Sequence, residues 1–250
     1  ANGLLQKITK NSDQTETFYW QMDDPIPTYL AAVAIAPYEE IRMSVDGIPV
    51  ILTALASDTA NLRKSFENLP TCIRAFESSY GKHTFDRVGF NTVPFNSGAM
   101  EHATNIAYPR YAIANGDKAS ETLFAHELAH HWWGNTITCK TQEDMWLNEG
   151  WASYSERLFL EAVYGKKAYD DDIEANHHSV LQFVHVLDEA ILPVSGIGHA
   201  HTYGRHVYDK GADMVHTLRG FMGDQSFFEA CQSFQSTYKF KDVTTQDMHT

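Results

Sequence analysis

The run His126-Glu127-Leu128-Ala129-His130, with Glu149 further on, is where residue type and spacing could do chemistry. An α-helix turns about 100° per residue, so two histidines four apart leave one face about 40° from each other. Both imidazoles can then reach one metal ion. Eighteen residues separate His130 from Glu149, room for a loop and the start of a second helix. Two histidines and one carboxylate leave the fourth position of a tetrahedral zinc open for water, the ligand set of a catalytic rather than a structural site. Glu127, beside the first ligand, is placed to take a proton from a metal-activated water. The competing reading is a pair of satisfied core histidines and a solvated Glu149. A third ligand at a workable spacing, between Asn148 and Gly150, favours zinc.

The elements that must position these groups can be read outward. Ser120 is suited to cap a helix, Glu121 puts negative charge at its positive end, and Gly134-Asn135 supply a stop. Upstream, Phe18 to Met22, Tyr29 to Ile35, Ile48 to Leu52, Phe85 to Val93 and Thr104 to Tyr108 have strand character, punctuated by Pro25, Pro27 and Asp46-Gly47. Ser57-Asp58 caps an expected helix to about Tyr80, with Leu62, Phe66, Leu69, Ile73 and Phe76 at mostly helical spacing. Downstream, helices are expected over Lys167 to Leu187, Val207 to Met222 and Ser226 to Tyr238. Asp242 to Asp247 reads as a helix start, from which the natural polypeptide is expected to continue. Strands early and helices late predict an α+β fold.

Composition bounds the partners. A hydrophobic fraction of 43% supports a core and excludes a disordered chain. With 32 acidic against 19 basic residues, nucleic acid and anionic membranes are poor partners. Three widely spaced cysteines, Cys72, Cys139 and Cys231, imply no disulfide framework and no cysteine zinc site. The longest apolar run, Tyr29 to Pro37, is too short to span a bilayer. The compartment is left open.

At this point the residues resemble a family. His126-Glu-Leu-Ala-His-His-Trp-Trp-Gly-Asn135 with Leu147-Asn-Glu-Gly-Trp-Ala152 is similar to the M1 family of zinc aminopeptidases. Gly98-Ala-Met-Glu-His102 resembles that family's G-x-M-E-N segment, and Tyr208-Asp-Lys-Gly211 its Y-x-K-G segment, in the same order. The resemblance implies a thermolysin-like catalytic domain, mainly helical with a small β-sheet, over residues 46–250. Residues 1–45 would be the end of an N-terminal β domain, and a helical C-terminal domain would be missing.

It also implies roles. His126, His130 and Glu149 would bind one zinc ion, with Glu127 as the proton carrier. Tyr208 would hold the oxyanion of the tetrahedral intermediate, a task that suits a phenol near the metal. Glu101 would grip the free α-amino group of a peptide, so that the first peptide bond is the one cut. Gly98, Ala99 and Met100 would lie along the substrate, where small residues allow close backbone approach. His102 stands where the family has Asn, and could alter the pocket or add a titrating group. The expected activity is therefore release of N-terminal residues from peptides with a free amino end. A zinc endopeptidase and a non-catalytic peptide-binding module are the rivals. The histidines His177, His178, His199, His201 and His206 have spacings that fit no ligand set, while His131, Trp132 and Trp133 read as packing residues.

Overall fold

A computed structural model describes residues 1–249. The fold is α+β, and its chain divides into two compact units, residues 1–67 with 84–121 and residues 68–83 with 122 onward.

The first unit holds the sheets of the N-terminal half. β1 (Leu4–Lys10) and β2 (Glu16–Gln21) form an antiparallel ribbon. β3 (Tyr38–Val45) and β4 (Ile48–Leu55) form a hairpin around Asp46-Gly47, both at positive φ, the backbone that a two-residue hairpin turn needs. β5 (Val88–Val93) and β6 (Ile106–Pro109) add in parallel to give the order β3-β4-β5-β6. The division expected at residue 45 falls inside the β3–β4 hairpin. α1 (Thr59–Ser65) ends one residue before Phe66, whose ring meets those of Phe90 and Tyr108 edge-on with centroids 5.0 Å away. These rings, with Leu52, Leu62, Val88 and Ile106, make the buried core of this unit.

The single helix expected over residues 57–80 is two. α2 (Leu69–Tyr80) starts afresh after Asn68. Pro70 at its second position lacks the N–H that would continue a helix, and its ring would clash with the carbonyl four residues earlier. That break is also where the chain passes from the first unit to the second.

The second unit is helical. α3 (Glu121–Ala129) begins directly after Ser120 and stops short of Gly134, giving way to tight turns over residues 130–133. β7 (Ile137–Cys139) and a 3-10 segment, Gln142–Leu147, lead to α4 (Glu149–Tyr164). α5 (Lys166–Ser179) runs through a π-helical stretch, Val180–Val184, into the short α6 (His185–Leu187). α7 (Arg205–Met222) and α8 (Asp224–Thr237) follow. β8 (Lys241–Val243) then pairs in parallel with β7. At the last turn, Thr244 donates its N–H and hydroxyl to the Asp247 carboxylate, each at 2.8 Å, and the helix start expected there is a 3-10 turn, Thr245–His249.

Apolar residues at helical spacing explain the packing. Leu69, Cys72, Ile73, Phe76 and Tyr80 line one face of α2 and are buried, and the Tyr80 hydroxyl meets Ser155 on α4 at 2.7 Å. Trp133, just after the histidine motif, stacks on Trp151 of α4 with centroids 3.8 Å apart. Trp132 and Trp133 are thus core residues, as expected. No helix of the described residues is long and apolar enough to cross a membrane.

Candidate metal centre

α3, the turn directly after it and α4 bring the three ligand candidates together inside the second unit. One donor atom each from His126, His130 and Glu149 lies within 4.8 Å of the other two, and all three residues are buried. Both imidazoles turn the same edge inward. His130 Nδ1 lies 2.8 Å from the Trp133 carbonyl, to which it donates, and His126 Nδ1 lies 2.9 Å from a Glu156 carboxylate oxygen. With the Nδ1 protons so used, each Nε2 presents its lone pair, and these nitrogens sit 3.2 and 3.3 Å from the same Glu149 oxygen. Two lone pairs facing one carboxylate require a positive charge between them. A proton can supply it, and so can a divalent cation bound by two imidazoles and a carboxylate.

The electrostatics agree. Burial alone would raise the Glu149 carboxyl, but the facing His130 and His126 rings outweigh it and hold Glu149 well below the usual carboxylate range. Burial likewise opposes charge on His126, and the carboxylates of Glu149 and Glu156 overcome it and raise His126 well above an ordinary histidine.

Glu156, which holds His126 Nδ1, is a residue that the motifs did not single out. It stands seven residues after Glu149, two turns along the same face of α4, so the spacing carried the signal. The Asn148 side chain accepts the Cys139 N–H at 2.9 Å and so ties the start of α4 to β7.

Around this centre, Glu127 is 5% exposed on α3. The Tyr208 ring lies parallel to that of His126, 6.0 Å between centroids and 13° between planes. Tyr208 also lines a hollow of about 610 Å³ with Ser153, Glu156, Asp188, Tyr203 and Arg205. His131 bonds to His83 at 2.8 Å. Among the histidines with no ligand spacing, His206 pairs with Asp188, His177 with Asp213 and His199 with Gln142.

Gly98 to His102 belong to the first unit, where they approach β6: Met100 and Ala107 exchange both backbone hydrogen bonds, at 3.0 and 2.9 Å. Gly98 is exposed at φ +64°, a conformation that side-chain-bearing residues avoid. Glu101 is 7% exposed. The His102 ring donates to the backbone at Tyr29 and Leu30. Burial pushes its pKa below the ordinary histidine value despite those bonds and the neighbouring Glu101 charge.

The fold and this centre are those of a zinc-type peptidase domain, and comparison with known proteins agrees. The description "Peptidase family M1 domain" matches residues 61–250, and the chain belongs to that family. It is 28% identical to glutamyl aminopeptidase of Bos taurus over an alignment that covers 99% of this chain and 27% of that protein. Leucine aminopeptidase 2 of Aspergillus terreus is 26% identical, with 99% and 41% covered. A solved two-domain M1 zinc metallopeptidase bound to L-tryptophan superposes with a TM-score of 0.85 at 21% identity, over 98% of this chain and 55% of that one. An M1 zinc metallopeptidase from Deinococcus radiodurans gives 0.82 at 22%, with 98% and 54% covered. The chain therefore spans about a quarter to a half of the length of these relatives.

Proposed function

We propose that this chain carries the catalytic part of a zinc-dependent aminopeptidase that hydrolyses the N-terminal residue from peptides. The observation that carries the proposal is the convergence of His126 Nε2, His130 Nε2 and Glu149, with both Nδ1 atoms already engaged. A zinc ion, when bound there, supplies a Lewis acid that polarises the scissile carbonyl and makes water acidic near neutral pH. Glu127 takes the proton of the attacking water and passes it to the leaving amine. Tyr208 donates its hydroxyl proton to the oxygen on which negative charge develops. Its ring, parallel to that of His126, supports this role.

Glu101 makes the enzyme an exopeptidase in this proposal. A carboxylate held at one end of the bound peptide attracts an α-ammonium, and so fixes which bond meets the nucleophile. The backbone of Gly98, Ala99 and Met100 lies along the substrate. His102, kept neutral by burial, shapes that end without adding a positive charge that would compete for Glu101. Relatives named for glutamyl and leucyl preference do not choose a side chain for this chain.

Mass spectrometry of one peptide offered with a free and with an acetylated N-terminus tests the proposal. Stepwise loss of single residues from the free peptide alone is expected, with KM raised more than kcat is lowered in Glu101→Ala. Internal cleavage of the acetylated peptide, indifferent to Glu101→Ala, would make the chain an endopeptidase. Peptide bound but uncut by the zinc-loaded chain would make it a binding module.

A further inference from the structure

Tyr208 lies in the second turn of α7, and the first turn of that helix is held by a residue eighteen positions before its own His206. Gly204, which precedes α7, has no side chain to cap it. Asp188 does so from the end of the preceding helical run. Its carboxylate accepts the N–H of Arg205 and of His206, each at 2.9 Å, and His206 Nδ1 at 2.6 Å. The approach depends on Gly204, since a Cβ there would lie 2.7 Å from a carboxylate oxygen of Asp188. A carboxylate over a helix N-terminus is also favoured by the helix dipole.

The second nitrogen of His206 is used as well. Nε2 accepts the Leu192 N–H at 3.1 Å, while Lys210 donates to the Leu192 carbonyl at 2.5 Å. His206 and Lys210 are one turn apart, and Tyr208 lies midway between them. Both backbone polar atoms of Leu192 are thus clamped by residues flanking the tyrosine. The Asp188, Gly204 and Tyr208 side of this arrangement lines the same hollow as Glu156, the partner of His126.

We infer that Asp188 and His206 are positioning residues for Tyr208: they fix the first turn of α7 and the loop at Leu192, and thereby the direction in which the Tyr208 hydroxyl points. His206 is 2% exposed, and both its ring nitrogens are taken, by Asp188 and by the Leu192 N–H, so its effect on Tyr208 passes through the helix. The inference rests on Tyr208 acting as the oxyanion donor. A donor misplaced by about 1 Å can cost two orders of magnitude in rate. Because that cost is paid in the transition state, kcat should fall while KM holds.

The test is a double-mutant cycle on the zinc-loaded chain, joined to a readout that needs no turnover. In protein labelled with 3-fluorotyrosine, Tyr208→Phe assigns the Tyr208 fluorine resonance. His206→Phe and Asp188→Ala are expected to shift or broaden that resonance without loss of bound zinc. Asp188→Asn, which keeps an oxygen acceptor for the helix N-terminus, is expected to recover most of what Asp188→Ala loses. In kinetics, His206→Phe should lower kcat about tenfold or more, and should add little to the loss in Tyr208→Phe, because both act on one group. A Tyr208 resonance unmoved by His206→Phe and by the more conservative His206→Gln would overturn the inference. So would losses that multiply fully in the double variant. If Tyr208→Phe itself leaves kcat unchanged, the oxyanion role fails instead, while the fluorine result still decides whether the pair positions the ring.

Discussion

Gly150 and Gly211 meet backbone to backbone: a Cβ on either would lie 2.9 Å from the Cα of the other. Gly150 follows Glu149, and Gly211 comes three residues after Tyr208, so this crossing of α4 and α7 sets the tyrosine beside the cluster of His126, His130 and Glu149. The glycine of each motif is there for this contact. Gly150→Ala has a second obstacle, the Val207 carbonyl oxygen at 3.0 Å. Both atoms belong to backbone that cannot turn aside. Either substitution to Ala should cost about 1–3 kcal/mol in urea unfolding, the usual range for overpacking. Zinc affinity and kcat should fall with it. Unchanged unfolding midpoints in both variants would contradict the close approach.

Glu156 offers a cleaner probe of the centre, because it bonds to His126 and is not itself one of the three candidate ligands. Groups that orient a metal-bound histidine are worth about 10–100-fold in metal affinity. Glu156→Ala should weaken zinc binding by that factor in a chelator competition titration, with Glu156→Gln intermediate, since an amide oxygen still accepts from His126 Nδ1. Equal affinities would mean that the His126 orientation is set elsewhere.

Arg219 predicts a loss of stability without a loss of metal. Its guanidinium is 7% exposed as a residue, bonds Asp224 at 2.8 and 3.0 Å and Glu161 at 3.0 Å, and lies over the rings of Tyr169 and Phe228. Removing one member of a buried ion pair strands the remaining charges, which typically costs about 3–5 kcal/mol. Arg219→Ala is expected at the low end, because the Asp224 side chain is 70% exposed and can rehydrate. Urea unfolding at neutral pH measures the loss, and zinc stoichiometry in the folded variant should remain that of the parent.

Acid should act on Asp188. Burial alone would raise its carboxyl, but the N–H groups of Arg205 and His206 outweigh it and hold the pKa below the ordinary range. A carboxyl depressed by folding adds stability that is fully present above its unfolded pKa of about 4. That stability is lost as pH falls through this value toward the folded one. The unfolding free energy of the parent minus that of Asp188→Asn should therefore be larger at about pH 6 than at about pH 3. A difference constant over that window would remove the carboxylate from the helix cap.

Much of the site was legible because its information is periodic. His126 and His130 stand one helical turn apart by spacing, Glu149 opens the next helix, and Trp132, Trp133 and His131 are core or bonded residues rather than ligands or platforms. The fold class followed from strands early and helices late. Other features carry no periodic sign. Pro70 divides the helix expected over residues 57–80, although the apolar spacing runs through the break. The π-helical Val180–Val184 shifts the bonding register inside a run that reads as one helix. Asp188 and His206 meet only after a loop folds back, so His206 looked like one histidine among many. Glu156 was within reach, at two turns from Glu149, but its partner His126 already had a role.

In the proposed reaction, one zinc ion held by His126, His130 and Glu149 drives hydrolysis, with Glu127 carrying the proton. The most direct measurement is chromophore release from an aminoacyl substrate with a free amino group, by the zinc-loaded chain, by the chelator-stripped chain, and by Glu127→Gln. The prediction is turnover in the first only, restored to the stripped chain by about one equivalent of zinc, with Glu127→Gln still binding that equivalent but silent. Turnover that survives stripping, or a Glu127→Gln chain as fast as its parent, would contradict the account.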